Sequence, residues 1–213
     1  MQTPLVRAFG SLLLALLGCR SSEPPSDSTT ASPAGTTNDD VVATVLGRSI
    51  TRHDLQSSSI EELVLGPLFE RYRDEHGIVA TKAEIDGYLE CIRKVAQSPA
   101  WRQMKAETAD EGDDESEGSD ASSREFAETV VIDWKMSKRL YEEFGGAVIF
   151  QQANPLEPIG AYRAFLESQE RAGAFRIVDP HEAESFWCYF RREPRFVIPP
   201  EKVDYSTPWW TQD

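Results

Sequence analysis

The chain has 213 residues, of which 36 are acidic and 22 basic, so its formal net charge is −14 at pH 7. This excess of negative charge argues against binding to nucleic acid, and against binding to anionic lipid through a basic surface. No stretch of the sequence reaches the roughly 20 consecutive apolar residues that a membrane-spanning helix needs.

The amino terminus has the features of a signal peptide. Residues 1–9 carry Arg7 as their only charge, and an apolar run follows at residues 11–17. This run has the length of a signal-peptide core, and the small residue Gly18 stands where such a peptide is cleaved. The segment that ends at Cys19 resembles the lipobox of bacterial lipoproteins, in which the cysteine thiol is acylated and becomes the new terminus. The alternative is an ordinary secretory signal with a chance cysteine.

The lipobox resemblance implies a lipoprotein signal peptide at residues 1–18 and a lipid anchor, with palmitate among its acyl chains, on Cys19. Two or three acyl chains are enough for stable membrane attachment. The mature protein would then face the periplasm, and Arg20 in place of aspartate favours the outer membrane. Residues 19–40 contain three prolines, four threonines and few apolar side chains, so they are predicted to form a flexible linker.

The folded part is expected to begin with a strand. Residues 41–46 form an apolar, β-like run that ends at Gly47. Thr51 is then predicted to open the first helix. Because proline cannot donate a hydrogen bond to the preceding turn, Gly66 and Pro67 predict either a kink or two consecutive helices.

A second helix is predicted by its caps. Gly77 is expected to end the preceding segment as the residue after a helix C-cap. Thr81 and Glu84 form a capping box, with Thr81 as the N-cap and Glu84 reaching back to it. The helical spacing predicts one buried face, made of Ile85, Tyr88, Leu89, Ile92 and Val95.

A third helix is expected after an acidic segment. A further capping box at Ser122 and Glu125 predicts a helix that runs to Phe144. The preceding residues 107–121 contain eight acidic residues and no basic one, which predicts a disordered, solvated loop. A calcium loop is the alternative, but the register that begins at Asp113 places an arginine where a bidentate glutamate is required.

The last third of the chain is predicted to contain one strand and two helices. Residues 147–151 are expected to form a buried strand that could pair with residues 42–46. Residues 154–155 are expected to begin a fourth helix, which ends at Gly173. Aspartate at the N-cap and proline at the first helical position predict a last short helix from residues 179–182.

Residues 41–213 are therefore predicted to form one mainly α-helical domain with a small two-stranded β element. Their last part, residues 191–213, is rich in proline and aromatic residues and is expected to be an extended tail. Its rings either complete the core by wrapping around the helices or form an adhesive segment. The first interpretation is favoured, because a free aromatic tail invites aggregation.

The start of this domain resembles a chaperone family. Residues 41–55 combine an apolar strand, a glycine turn and a polar helix start, and they resemble the opening of SurA-type and PrsA-type periplasmic chaperones. Residues 63–85 resemble the long helix, connection and second helix of the same family, although Gly66 and Pro67 depart from it. The resemblance covers about residues 41–95. It implies a SurA-like helical domain that binds unfolded or partly folded envelope proteins.

Three aromatic residues on the predicted helices are the candidate peptide-binding residues of this domain: Tyr72, Trp134 and Tyr141. Tyr72 shares one helix face with Leu63 and Leu68, which are predicted to be core residues. The alternative function is that of a structural lipoprotein subunit, which docks to one folded partner in an envelope assembly. The sequence does not choose between these two functions.

Catalysis is not predicted. Many relatives carry a parvulin prolyl-isomerase module, but no segment here fits one, and the three histidines lie in polar or helix-terminal contexts. No catalytic motif, cofactor site or metal site is expected, because Cys91 and Cys188 lack the spacing of metal ligands. The oxidising periplasm would permit a disulfide between these two cysteines, but free thiols are the favoured state.

Overall fold

A computed structural model describes residues 40–108, 120–152 and 154–211. Cys19, the predicted signal peptide and most of the predicted linker and acidic loop lie outside these described residues. Within them the fold is mainly α-helical, as predicted. Its elements are β1 (Val41–Val45), β2 (Arg48–Thr51), α1 (Ile60–Glu75), α2 (Lys82–Gln97), α3 (Pro99–Thr108), α4 (Asp120–Phe144), β3 (Val148–Ile149), α5 (Ile159–Arg171), β4 (Phe175–Ile177), α6 (Pro180–Arg191) and β5 (Val197–Ile198).

The chain opens with a β-hairpin rather than with a strand followed by a helix. Strands β1 and β2 pair antiparallel, and Leu46 and Gly47 turn the chain between them with φ of 48° and 79°. Two positive φ angles suit a two-residue hairpin turn. The expectation that Thr51 opens a helix was therefore wrong: its backbone N–H donates to Asp54 Oδ2 at 2.8 Å in a short turn. Helix α1 begins later, behind a capping box formed by Ser59 and Glu62.

Helix α1 runs through Pro67 without a break. The predicted division into two helices was wrong. Proline removes one backbone hydrogen bond, but buried side chains anchor the helix on both sides of it: Val64 and Leu65 before, and Leu68 and Phe69 after. Burial of one such side chain stabilises by roughly 1.5–3 kcal/mol, so together these side chains outweigh the lost bond.

The predicted caps of the next segment are confirmed. Gly77 has a φ of 60°, and Thr81 and Glu84 form both hydrogen bonds of their capping box. The predicted buried face of α2 is only partly correct, because Tyr88 and Leu89 are buried whereas Ile92 and Val95 are exposed.

Helix α4 is longer at its start than predicted. Its described part begins at Asp120, so Ser122 lies inside the helix and does not cap it. Arg124 in this first part donates to Asp86 of α2 at 2.9 Å, a tertiary contact that supports the extra helical residues. Helix α3, which the sequence analysis did not predict, precedes this region.

Two small antiparallel sheets flank the helices. The first has the order β2-β1-β4, so β1 is its central strand. The second pairs β3 with β5, with Val148 opposite Ile198 and Ile149 opposite Val197. The predicted pairing of residues 147–151 with residues 42–46 was therefore wrong. The neighbour of β1 on that side is β4, which lies directly after the turn that closes α5 and was not predicted.

Helix α5 starts later than predicted, at Ile159. The residues before it are held as extended chain, because Ile149 and Glu157 exchange two backbone hydrogen bonds of 2.9 and 3.0 Å. The predicted end at Gly173 is confirmed, with a φ of 72°. The start of α6 is also confirmed, since the Asp179 side chain accepts hydrogen bonds from the backbone N–H groups of His181 and Glu182.

One large apolar core and two smaller clusters hold the elements together. The large core joins β1, α1, α4, α5 and α6, and Leu68, Leu140 and Phe165 are among its fully buried residues. The smaller clusters include residues of the carboxyl-terminal tail, because Trp210 packs with Tyr88 and Leu89 and Tyr205 packs with Val148 and Leu156. These two tail rings complete the core, as the favoured interpretation expected.

Two further features concern the membrane and the thiols. In the part of the chain that the structure describes, no helix is long and apolar enough to span a bilayer. Cys91 and Cys188 are not joined by a disulfide, as favoured from the sequence, and the Cys91 thiol donates to the Trp210 carbonyl oxygen.

Candidate binding recess

Tyr72, one of the three predicted peptide-binding residues, belongs to the core. Only 4% of it is exposed, and its hydroxyl donates to Glu143 Oε2 at 2.9 Å. Burial, together with this hydrogen bond, raises the pKa of Tyr72 well above its usual range. Its ring also meets Phe165 edge-on at 5.1 Å. The prediction that Tyr72 lines a surface groove was therefore wrong, whereas Leu68 is buried in the core as predicted and Leu63 packs against the core, partly buried.

Trp134 and Tyr141 lie on α4 seven residues apart, which places them on one face of that helix. The carboxyl-terminal tail already covers this face. Trp134 meets Trp210 with ring centroids 5.7 Å apart, and Tyr141 meets Tyr205 at 5.2 Å. The three predicted residues therefore do not form one groove.

An open recess lies elsewhere, where the end of β3, the start of α5, the end of α6 and the loop before β5 come together. Its volume is about 440 Å³. This is within the usual range of ligand pockets, roughly 300–1,000 Å³. It is lined by Ile149, Phe150, Gln151, Gln152, Ile159, Tyr189, Arg192, Pro194, Arg195 and Phe196.

Two phenylalanines form an exposed apolar rim on this recess. Phe150 is 55% exposed and Phe196 is 79% exposed. The β3–β5 pairing places them side by side, because the Phe150 backbone N–H donates to the Phe196 carbonyl at 3.0 Å. Phe196 has a φ of 55°, a left-handed conformation that is unfavourable for a bulky side chain. Phe196 thus combines a strained backbone with a ring that gains little from burial in this chain.

A hydrogen-bonded chain of side chains supports the wall of the recess. The Gln151 amide donates to the Tyr189 hydroxyl at 2.6 Å, and this hydroxyl donates to Glu157 Oε1 at 2.6 Å. Glu157 is buried, and burial raises its pKa, while the Tyr189 hydrogen bond acts in the opposite direction. Because each buried polar group has a partner, the wall can remain rigid without bound ligand.

The charge at the recess is opposite to that of the chain as a whole. Its lining includes two arginines and no acidic residue. Arg192 lies over the Tyr189 ring, 4.6 Å from its centroid, and this contact orients its guanidinium group. Arg192 and Arg195 are both exposed.

Sequence reasoning missed this recess. It noted Phe196 as part of an aromatic tail but had no reason to bring it beside Phe150, because the β3–β5 pairing is a long-range contact. The available signal was the presence of two arginines, a proline and a phenylalanine within residues 192–196 of the predicted tail. Among the described residues no group of three or more His, Cys, Asp and Glu side chains is placed to hold a metal ion.

Comparison with known proteins adds no relative: no protein-family model, curated protein or solved structure matches this chain.

Proposed function

We propose that the protein is a lipid-anchored envelope protein that binds exposed segments of unfolded or partly folded polypeptides at the recess and catalyses no reaction. The observation that carries this proposal is the apolar rim formed by Phe150 and Phe196, which stays exposed beside a recess with a supported wall. Exposed aromatic side chains next to a concavity are typical of protein-binding sites.

Two sequence features support the cellular part of this proposal. The resemblance of residues 41–95 to SurA-type chaperones supports unfolded envelope proteins as the client class. The lipobox-like segment that ends at Cys19 supports attachment to a membrane, with the outer membrane favoured, and a position facing the periplasm.

A light-scattering assay tests the proposed activity. The purified protein, added at a stoichiometric ratio to an unfolded outer-membrane protein, is expected to suppress aggregation. Phe150→Ser and Phe196→Asn should each remove most of this effect, and asparagine tolerates the left-handed backbone at position 196. Phe126→Ser is the matched control, since Phe126 is 57% exposed but lies on α4 and does not line the recess.

Two outcomes would contradict the proposal. If the wild-type protein leaves aggregation unchanged, the docking-subunit alternative gains support, and crosslinking in the envelope should then capture one stoichiometric folded partner instead of many clients. If it accelerates proline-limited refolding of a test protein, the absence of catalysis is wrong.

A further inference from the structure

Arg192 and Arg195 both line the recess and present positive charge to it. Neither arginine forms a salt bridge with another described residue. The buried Glu157 carboxyl interacts electrostatically with Arg192, and it also accepts the hydrogen bond from Tyr189. In a chain with 14 more acidic than basic residues, this is a local site for an anion. Guanidinium groups bind carboxylates particularly well, because two parallel N–H groups match two oxygens.

The rest of the lining requires that the anion carry an apolar group. Ile149, Ile159 and Pro194 line the same recess, and the two phenylalanines form its rim. An inorganic anion or a sugar phosphate would leave these surfaces in contact with water. A ligand that matches both the arginines and the apolar residues of the lining carries a carboxylate next to an apolar group.

A chain end meets this requirement better than an internal acidic residue. Strand β5 leads out of the recess at Val197, which is exposed, and offers an extended segment along which an incoming peptide can lie. At the other side, Gln151, Tyr189 and Glu157 close the wall with hydrogen bonds to one another. A peptide that lies along β5 would meet this wall with its end, and a chain end suits that position better than an internal residue.

We propose that the recess binds the carboxyl terminus of a polypeptide, with its α-carboxylate at Arg192 and Arg195 and an apolar last side chain between Ile149, Ile159 and Phe196. This inference rests on the proposed function and specifies which part of a client the recess recognises. The exposed Gln152 amide is placed to donate a further hydrogen bond to the carboxylate.

Fluorescence anisotropy with two matched peptides tests the inference. Both are labelled heptapeptides of the same uncharged sequence ending in phenylalanine, one with a free carboxylate and one with a terminal amide. The free acid is expected to bind the purified protein at least about tenfold more tightly, because only the free carboxylate can form charge-assisted hydrogen bonds with the two guanidinium groups. Arg192→Gln and Arg195→Gln should each remove most of this preference. Arg191→Gln should keep it, because Arg191 is an adjacent exposed arginine that stacks on Trp187 and does not line the recess.

Equal affinity for the acid and the amide would overturn the inference and leave the proposed function standing, provided that the Phe150 and Phe196 variants still lose aggregation suppression. An acid preference that survives in the Arg192→Gln, Arg195→Gln double variant would also overturn it. Decanoate that displaces the free-acid peptide at a lower concentration than the unlabelled peptide itself would overturn it in favour of a lipid carboxylate.

Discussion

Asp133 lies on α4 with both carboxylate oxygens buried and, among the described residues, without a hydrogen-bond partner. Burial raises the pKa of this carboxyl from 3.8 to about 7. Between these two values the folded protein keeps a proton that the unfolded chain releases. The group therefore favours folding at low pH, and this contribution is lost as the pH rises through about 7.

Asp133→Asn should remove this pH dependence. The variant is expected to be more stable than the wild type at pH 8, by up to about 3–4 kcal/mol, because it avoids burying a charge. At pH 5, where the wild-type carboxyl is protonated in the folded state, the difference should be much smaller. Urea midpoints at the two pH values measure both quantities. Glu128→Gln, an exposed site on the same helix, serves as the control. If the difference in stability between Asp133→Asn and the wild type is the same at pH 5 and pH 8, this account is wrong.

At the residue scale, the local roles of side chains were predicted more reliably than their burial. The sequence identified Thr81 as a cap because the interaction with Glu84 needs only three residues of spacing. It misassigned Tyr72, because the burial of that ring depends on Glu143 and Phe165, which lie far away in the chain. The recess was missed for the same reason, since each of its walls comes from a different segment.

Among the elements, α5 packs closely against the segment that leads into β3. A Cβ atom added at Gly160 would lie 2.4 Å from the Ala147 backbone nitrogen and 2.9 Å from the Gly146 Cα. Both contacts are to backbone atoms, so neither can be relieved by rotating a side chain. Any side chain at position 160 must separate α5 from the segment that leads into β3.

Gly160→Ala should therefore destabilise the protein by roughly 1–3 kcal/mol, the usual range for overpacking. Gly87→Ala on α2 is the matched control, because its added Cβ meets nothing within 4 Å. That control should be stabilising by roughly 0.5–1 kcal/mol, since alanine favours helix. Denaturant midpoints of the two variants measure these effects. A Gly160→Ala protein as stable as the wild type would show that the junction is looser than described.

At Pro67 in α1, in contrast to Gly160, substitution by alanine is expected to stabilise the protein. Because this helix is continuous, Pro67→Ala restores a backbone N–H that can donate to the Leu63 carbonyl. The gain should exceed the roughly 0.4–1 kcal/mol by which proline restricts the unfolded chain. We expect a net stabilisation of about 1–2 kcal/mol in thermal or urea unfolding. A loss of stability would mean that contacts of the proline ring hold the helix together.

At the element scale, the residues that cap helices were predicted better than the pairing of strands. Gly77, Gly173 and Asp179 were identified because each acts on its own local backbone. The partner of β3 was predicted wrongly, because the sequence of a two-residue strand does not distinguish between β1 and β5 as its neighbour. The start of α5 was also predicted wrongly, because a β-bridge between Ile149 and Glu157 keeps the chain extended after the helix-starting sequence at residues 154–155.

For the whole molecule, the proposed attachment to a membrane depends on one cysteine, Cys19. Cys19→Ala is expected to abolish lipidation, because no other residue of the lipobox-like segment can accept the thioether-linked lipid. Metabolic labelling with a fatty-acid probe, followed by membrane fractionation, measures this directly. Cys91→Ala is the control and should retain the label. Label that persists on the Cys19→Ala protein would refute the lipoprotein interpretation.

The central position of β1 also has a consequence for the order in which parts of the fold can form during synthesis. β2 can pair with one edge of β1 as soon as both have emerged, because only a two-residue turn separates them. The other edge must wait for Phe175–Ile177, near the opposite end of the chain. Until then, a strand with the buried residues Val42, Ala43 and Val45 presents unpaired backbone groups. A chain cut short before β4 would keep that edge open and be prone to pair with neighbouring chains, so β1 is protected only after β4 has been synthesised.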